Sequence, residues 1–336
     1  MKTMIKLIAE TAWHHEGDFD FMKNLVSQLA KKTNANIIKM HITLDLDEYM
    51  HPSHESYSVL KSMLFSKDQW RELIEISRIE GKEIMLLLND TKAIDFGISL
   101  KPEYVEIHSA CLNDLFLLKK LKENLTDDIK VVLGVGGTSI DEIKYAINFL
   151  SHSNTILMFG FQNYPTVLKD VNINKIRRLM KLFDQHEYGY ADHTAWDSEY
   201  NELITLLGAA SGMSYIEKHV TTEFGKKRID WPAAISLEMF NKLNNKIDIL
   251  NKLNGDGSLS LNPGELDYSV YGPMKKAAVL KVDVLDGAIL TIDKIKFVRT
   301  KEVTNLSQLD IINFIGKKIN KNLKKETILI REHLTK

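Results

Sequence analysis

A single cysteine, Cys111, is all the thiol chemistry this chain carries. An intrachain disulfide is excluded, and a reducing compartment such as the cytoplasm fits. No stretch approaches the run of about 18 apolar residues that a membrane span needs. The N-terminal MKTMIKLIAE enters an apolar run at once, but that run is too short for a secretory signal core and ends at Glu10. Neither sign of charge is in excess: 44 Lys+Arg against 45 Asp+Glu leave a formal charge of −1. A global field able to hold nucleic acid or an anionic membrane is therefore missing. The one basic run, GKKINKNLKK at residues 316–325, reads as a solvated face. No dinucleotide-type glycine fingerprint follows the first apolar run, which argues against an open nucleotide-binding sheet.

What is present is a regular alternation. Short apolar runs at residues 5–10, 36–40, 83–88, 104–108, 130–133, 154–159, 188–191 and 214–219 read as strands. Helical patterns stand between them, at residues 19–32, 67–80, 92–98, 114–123, 141–150, 174–186, 198–211 and 236–253. Near-continuous apolar runs are expected of strands buried on both faces of a parallel sheet. Eight β/α units over about 250 residues predict a closed (β/α)8 TIM barrel over residues 1–253. Residues 254–275, rich in glycine and proline, read as a linker. Residues 276–336 read as a small, mainly β domain of short strands broken by turns.

Active-site groups of such barrels project from the C-terminal ends of the strands. Polar residues collect there: Glu10, then Lys39 and His41, Asn89 and Asp90, His108 and Ser109, the GVGG of residues 134–137, residues 162–164, Asp192 and His193, and Lys218 and His219. His193 and His219 end neighbouring strands, which lie about 4.8 Å apart, so the two can share one divalent ion. Two imidazoles suit Mn2+, Co2+, Zn2+ and Fe2+ alike. Lys39 interrupts an apolar strand, as an ammonium facing an anionic substrate would. Glu10 closes the first strand in the same way. The GVGG backbone can cradle an oxyanion, though glycines also serve simple turns. His14 and His15 precede a Gly-Asp turn and can be loop residues without a role.

Several motifs resemble those of the sialic acid synthase family. They are IAETAWHHEG at residues 8–17, IIKMH at 37–41, QNYPT at 162–166, GYADHT at 189–194, IEKHV at 216–220 and DWPAAISLEMF at 230–240. They occur in the family's order and span the barrel. The tail, with DVLDGAILTIDKIKFVR at residues 283–299, resembles the antifreeze-like (SAF) domain of the same family. The resemblance implies a metal-dependent condensation of phosphoenolpyruvate with an N-acetylated amino sugar, giving a nonulosonic acid. It implies His193 and His219 as ligands of Mn2+, with Mg2+ another candidate. Glu10, Lys39, Tyr164 and Asp230 take catalytic or sugar-binding places. His41, Ser109, Gln162 and Arg299 match substrate-contacting positions. Arg299 would reach a partner's site, which implies a domain-swapped homodimer.

The departures from the family pattern fall on one side of the site. Leu87, Gly134 and Ala191 stand where hydroxyl-bearing residues are usual, and Cys111 stands where an acid is usual. Each hydrogen bond to a charged group is worth about 1.5–3 kcal/mol. Loss of several weakens a phosphate site unless His41, His108 and the GVGG backbone compensate. Three functions stay open: a nonulosonate synthase with an altered donor pocket, another metal-dependent carbon–carbon bond-forming or lyase reaction on a sugar, and a non-catalytic sugar-binding partner.

Overall fold

The computed structural model describes residues 4–160 and 163–335. The chain divides into two compact units, Met1–Gly255 and Asp256–Lys336. Among the described residues, no helix is long and apolar enough to cross a membrane.

The first unit is the expected barrel. Its strands are β1 (Lys6–Glu10), β2 (Ile37–Ile42), β3 (Glu83–Leu88), β4 (Tyr104–Ile107), β5 (Lys130–Gly134), β6 (Thr155–Phe159), β7 (Glu187–Ala191) and β8 (Tyr215–Thr221). Each pairs in parallel with the next, and β1 pairs with β8 to close the ring. A two-residue strand, Ile235–Ser236, adds to the end of β8. The main outer helices are α1 (Phe19–Lys32), α2 (Lys67–Ile79), α3 (Thr91–Ser99), α4 (Leu115–Asn124), α5 (Ile140–Leu150), α6 (Ile173–Leu182), α7 (Asn201–Ala210) and α8 (Leu237–Asn254).

Their starts are written locally. Asp18, Ser66, Asp90, Asp114, Ser139 and Ser236 each accept a backbone N–H of the first turn, which satisfies donors the helix cannot. Ser66 with Gln69, and Ser139 with Glu142, form complete capping boxes. Their apolar faces bury Leu25 and Leu29, Trp70 and Leu73, and Phe240 and Leu243 against the barrel's outer surface.

Strand alternation then stacks the interior in layers. At the N-terminal end, Lys6 Nζ donates to Glu83 at 2.8 Å and to Tyr104 Oη at 2.9 Å. Lys130 pairs with Glu187 and donates to Tyr215 Oη at 2.9 Å. This polar ring plugs the bottom. Above it Ile8, Ile37, Met85, Val132 and Ile156 form a dry layer. The next inward positions, Glu10, Lys39, Glu106 and Glu217, are titratable and buried.

Two segments outside the eight units also hold short helices. The excursion between β2 and α2 contains short helices at Leu46–Tyr49 and Tyr57–Lys61. The stretch read as a linker holds a helix, Pro263–Tyr268, because Asn262 and Glu265 form a capping box and proline suits a first helical turn. In the second unit, β9 (Ala277–Leu280) and β10 (Ile295–Val298) pair antiparallel. A helix, Gln308–Phe314, packs with them over Leu280, Leu290, Ile311 and Leu329.

Gly160, just after β6, has φ +106°, and a Cβ there would sit 2.4 Å from the Ala191 carbonyl oxygen at the end of β7. Gly160→Ala is expected to destabilise the barrel by about 1–3 kcal/mol. A lower urea midpoint at unchanged slope checks this.

Candidate active site

The mouth at the C-terminal end of the strands holds a cavity of about 160 Å³ lined by Glu10, Lys39, His193 and His219 among others. The register decides its lining. Glu10 stands beside Lys39 on β2 and beside His219 on β8. Glu106 pairs with Leu87, and Glu217 with Ala191. Because side chains alternate, Glu217 and His219 face inward while Lys218 points outward beneath the helices.

His193 and His219 meet as the sequence predicts. Their Nε2 atoms are 3.1 Å apart. His193 Nδ1 donates to the Ala191 carbonyl at 3.0 Å, so in the neutral ring Nε2 is the acceptor nitrogen able to serve as a ligand. Burial, and then His219, push the His193 imidazole down to about 3, which keeps it neutral. His219 Nε2 also lies 3.3 Å from Glu10 Oε2. Glu10, His193 and His219 thus form a cluster of ligand atoms within 4.8 Å of one another. Nitrogens bound to one ion at about 2.1 Å sit about 3 Å apart when adjacent. The donor set therefore fits a divalent ion, with Glu10 as a third ligand that the sequence had marked only as an acid.

Behind this cluster lies a buried brace. Asp192 accepts from Thr194 N at 2.9 Å, Thr194 Oγ1 at 2.6 Å and Lys218 Nζ at 3.1 Å, and Thr205 Oγ1 binds its other side. Burial raises the Asp192 carboxyl, but Lys218 and the two threonines outweigh it and hold the group below the usual range. Asp192 and Lys218 are each next to a metal-site histidine in sequence, so the pair fixes the strand ends that carry both rings.

Lys39 lines the cavity with three carboxylates around its ammonium. Its Nζ is 2.7 Å from Glu106 Oε2, 3.0 Å from Glu217 Oε2 and 3.5 Å from Glu10 Oε1. Burial opposes its charge, yet the three carboxylates raise its pKa above the ordinary lysine value. Burial and Glu10 push Glu217 well above the carboxylate range. Burial alone would raise Glu10 too, but Lys39, His219 and His41 hold it well below that range. Glu217 is therefore the carboxyl that keeps a proton, shared toward Glu10. Sequence reading passed over Glu106 and Glu217. The signal was available, since each is an acid inside an apolar strand, the same anomaly that marked Lys39.

The other expected residues divide. His41 Nε2 meets Glu10 Oε1. Ser109 opens a short turn after β4 and lines the cavity. Tyr164 donates its hydroxyl to the Asp230 carbonyl, and the Asp230 carboxylate accepts from Trp13 N at 3.0 Å, so Asp230 and the loop after β1 are tied together at the rim. His14 and His15 are buried, and His14 Nδ1 donates to the Ile229 carbonyl at 2.7 Å. Burial and Asp114 push the Cys111 thiol up to about 11, which leaves it protonated and unreactive. Gln162 lies outside the described residues. Arg299 belongs to the second unit, where its Nε donates to the Pro273 carbonyl at 2.7 Å.

Residues 34–259, more than half the chain, match the model of the NeuB family. The chain belongs to the NeuB family. An uncharacterized protein of Methanocaldococcus jannaschii is 28% identical over 98% of this chain and 94% of its own length. N,N'-diacetyllegionaminic acid synthase of Legionella pneumophila is 25% identical over 98% of this chain and 94% of its own length. The crystal structure of an N-acetylneuraminic acid synthetase from Leptospira borgpetersenii, solved with citrate, superposes with a TM-score of 0.70 at 24% identity, covering 78% of this chain and 89% of that one. At that identity the match speaks for the fold, and with the NeuB relatives it makes this an enzyme-family barrel of the sialic acid synthase kind.

Breaking a buried pair by removing one partner typically costs about 3–5 kcal/mol. Asp192→Ala is expected to lose stability on that scale, seen as a lower urea midpoint. Asp192→Asn, which keeps the threonine contacts, is expected to lose less.

Proposed function

We propose that this chain forms carbon–carbon bonds at the open-chain aldehyde of an N-acetylated amino sugar, in a metal-dependent reaction of the nonulosonate synthase type. The observation that carries this reading is the His193–His219–Glu10 cluster at the mouth of a NeuB-family barrel. A divalent ion held there, Mn2+ foremost, supplies Lewis-acid polarisation of a carbonyl. The chain's own groups supply the rest. His193 is fixed by the Ala191 carbonyl, so its ring does not turn away from the site. Glu10, held low, and Glu217, held high, are an acceptor and a donor lining the cavity. Asp230 and Tyr164 form a rim at which sugar hydroxyls can be oriented. Ser109 lines the same cavity, and the family resemblance assigns Gln162, and Arg299 of a partner copy, to substrate. The tail then serves as an antifreeze-like (SAF) domain, and the assembly as a domain-swapped homodimer.

The donor has two readings. Phosphoenolpyruvate is the donor that the resemblance implies. A changed donor, with another carbon–carbon bond-forming or lyase reaction on the sugar, is favoured by one specific observation: the ammonium of Lys39 is already occupied by Glu106, Glu217 and Glu10.

The test joins metal binding to turnover. Wild-type protein is expected to bind one Mn2+ per chain by calorimetry, and His193→Ala and His219→Ala to lose at least about a hundredfold in affinity. With Mn2+ and a panel of N-acetylated hexosamines, chain-elongated product is followed by NMR while phosphate release is measured with phosphoenolpyruvate present. Metal and sugar binding without any product, with every donor offered, would leave a non-catalytic sugar-binding protein and end this reading.

A further inference from the structure

His14, in the loop after β1, sits against the Glu10–His193–His219 cluster and is only 1% exposed. Its Nδ1 donates to the Ile229 carbonyl at 2.7 Å, so in the neutral ring Nε2 is an acceptor. That Nε2 is buried and has no hydrogen-bond partner among the described residues. His219 shows the complementary gap. Its Nε2 faces His193 at 3.1 Å and Glu10 at 3.3 Å, while its Nδ1 is buried and equally without a partner among the described residues. The two rings are neighbours, nearly perpendicular, with centroids 5.8 Å apart. A slight approach of the rings, or one bridging water, joins nitrogens at that spacing.

An ion on His219 Nε2 takes that nitrogen's lone pair, so the hydrogen of the neutral ring sits on Nδ1. A buried N–H without an acceptor is costly, and ligating imidazoles generally donate their second nitrogen to a fixed partner. For His193 that partner is the Ala191 carbonyl. The loop is tied down on both sides of His14: Trp13 N donates to Asp230 Oδ2 at 3.0 Å, and Glu16 Oε1 accepts from Ile229 N at 2.8 Å. Ala12, Glu16 and Asp230 hold left-handed backbones at φ +47°, +48° and +63°, a strain that persists only where the surroundings enforce it. We propose that His14 is a positioning residue: its Nε2 accepts the Nδ1 hydrogen of His219 and holds that ring with Nε2 toward Glu10 and His193. A hydrogen-bonded chain then runs from the Ile229 carbonyl through both rings to the ligand nitrogen. This rests on the reading of Glu10, His193 and His219 as a metal site.

The test is Mn2+ affinity of the full chain by calorimetry, read beside the urea midpoint. His14→Phe keeps a planar ring without an acceptor and is expected to bind Mn2+ about ten- to a hundredfold more weakly. His14→Gln, whose amide oxygen can reach the place of Nε2, is expected to recover most of that loss. A folded His14→Phe protein with wild-type affinity overturns the proposal. So does an equal loss in both variants, which marks a residue that only fills space. If His14→Phe does not fold, nitrogen–proton NMR of the wild-type imidazoles decides. His219 is expected to carry its hydrogen on Nδ1, protected from exchange, both with Zn2+ as a diamagnetic ion and without metal. A bare or freely exchanging Nδ1 overturns the assignment. Wild-type protein that binds no ion sinks the metal-site reading instead, and the metal-free spectrum still decides this one.

Discussion

Three glutamates from β1, β4 and β8 close on the single ammonium of Lys39 from β2, and the chemistry of the site hangs on that cluster. An isolated buried charge costs several kcal/mol or more, so neither the lysine nor the carboxylates stand there alone. Together they are mutually obligatory. The ammonium holds Glu10 ionised beside the two histidines, and Glu217, crowded by Glu10, retains a proton. Lys39 thus lowers Glu10, while burial and Glu10 raise Glu217 against the pull of the same ammonium.

The barrel makes this arrangement affordable by isolating it. Below the charged layer lies a dry one built from Ile8, Ile37, Met85, Val132 and Ile156, and below that the polar ring of Lys6, Glu83, Tyr104, Lys130, Glu187 and Tyr215. Water has no path to Lys39 from beneath, so electrostatic interactions at the mouth are screened less than they would be at a surface. Outside the wall, Asp192 and Lys218 perform the matching task for the histidines, tying β7 to β8 at the height where both rings emerge.

Kinship and local chemistry bear on the site differently. Membership of the NeuB family bears on the barrel as a whole, including the half that holds Glu10, His193 and His219. The half around Glu106 mixes apolar Leu87 with polar Asn89, His108 and Ser109. A barrel of this kind carries its specificity in the few residues at each strand end, so one half can change while the other is kept.

Sequence alone determined the alternation of strand and helix, because burial of a parallel sheet on both faces and of a helix on one leaves distinct periodicities. It also placed Glu10, Lys39, His193 and His219 at strand ends, since a polar residue interrupting an apolar run is visible in one dimension. The residues around Asn262 misled, because glycine and proline density hid a capping box. What only the tertiary structure decided is who shares a partner. Lys39 and Glu217 are 178 residues apart, and their contact follows from barrel closure and strand register, quantities that a pattern of residue types does not encode. Lys39 therefore read as a free cation awaiting an anion, until closure of the ring brought the glutamates to it.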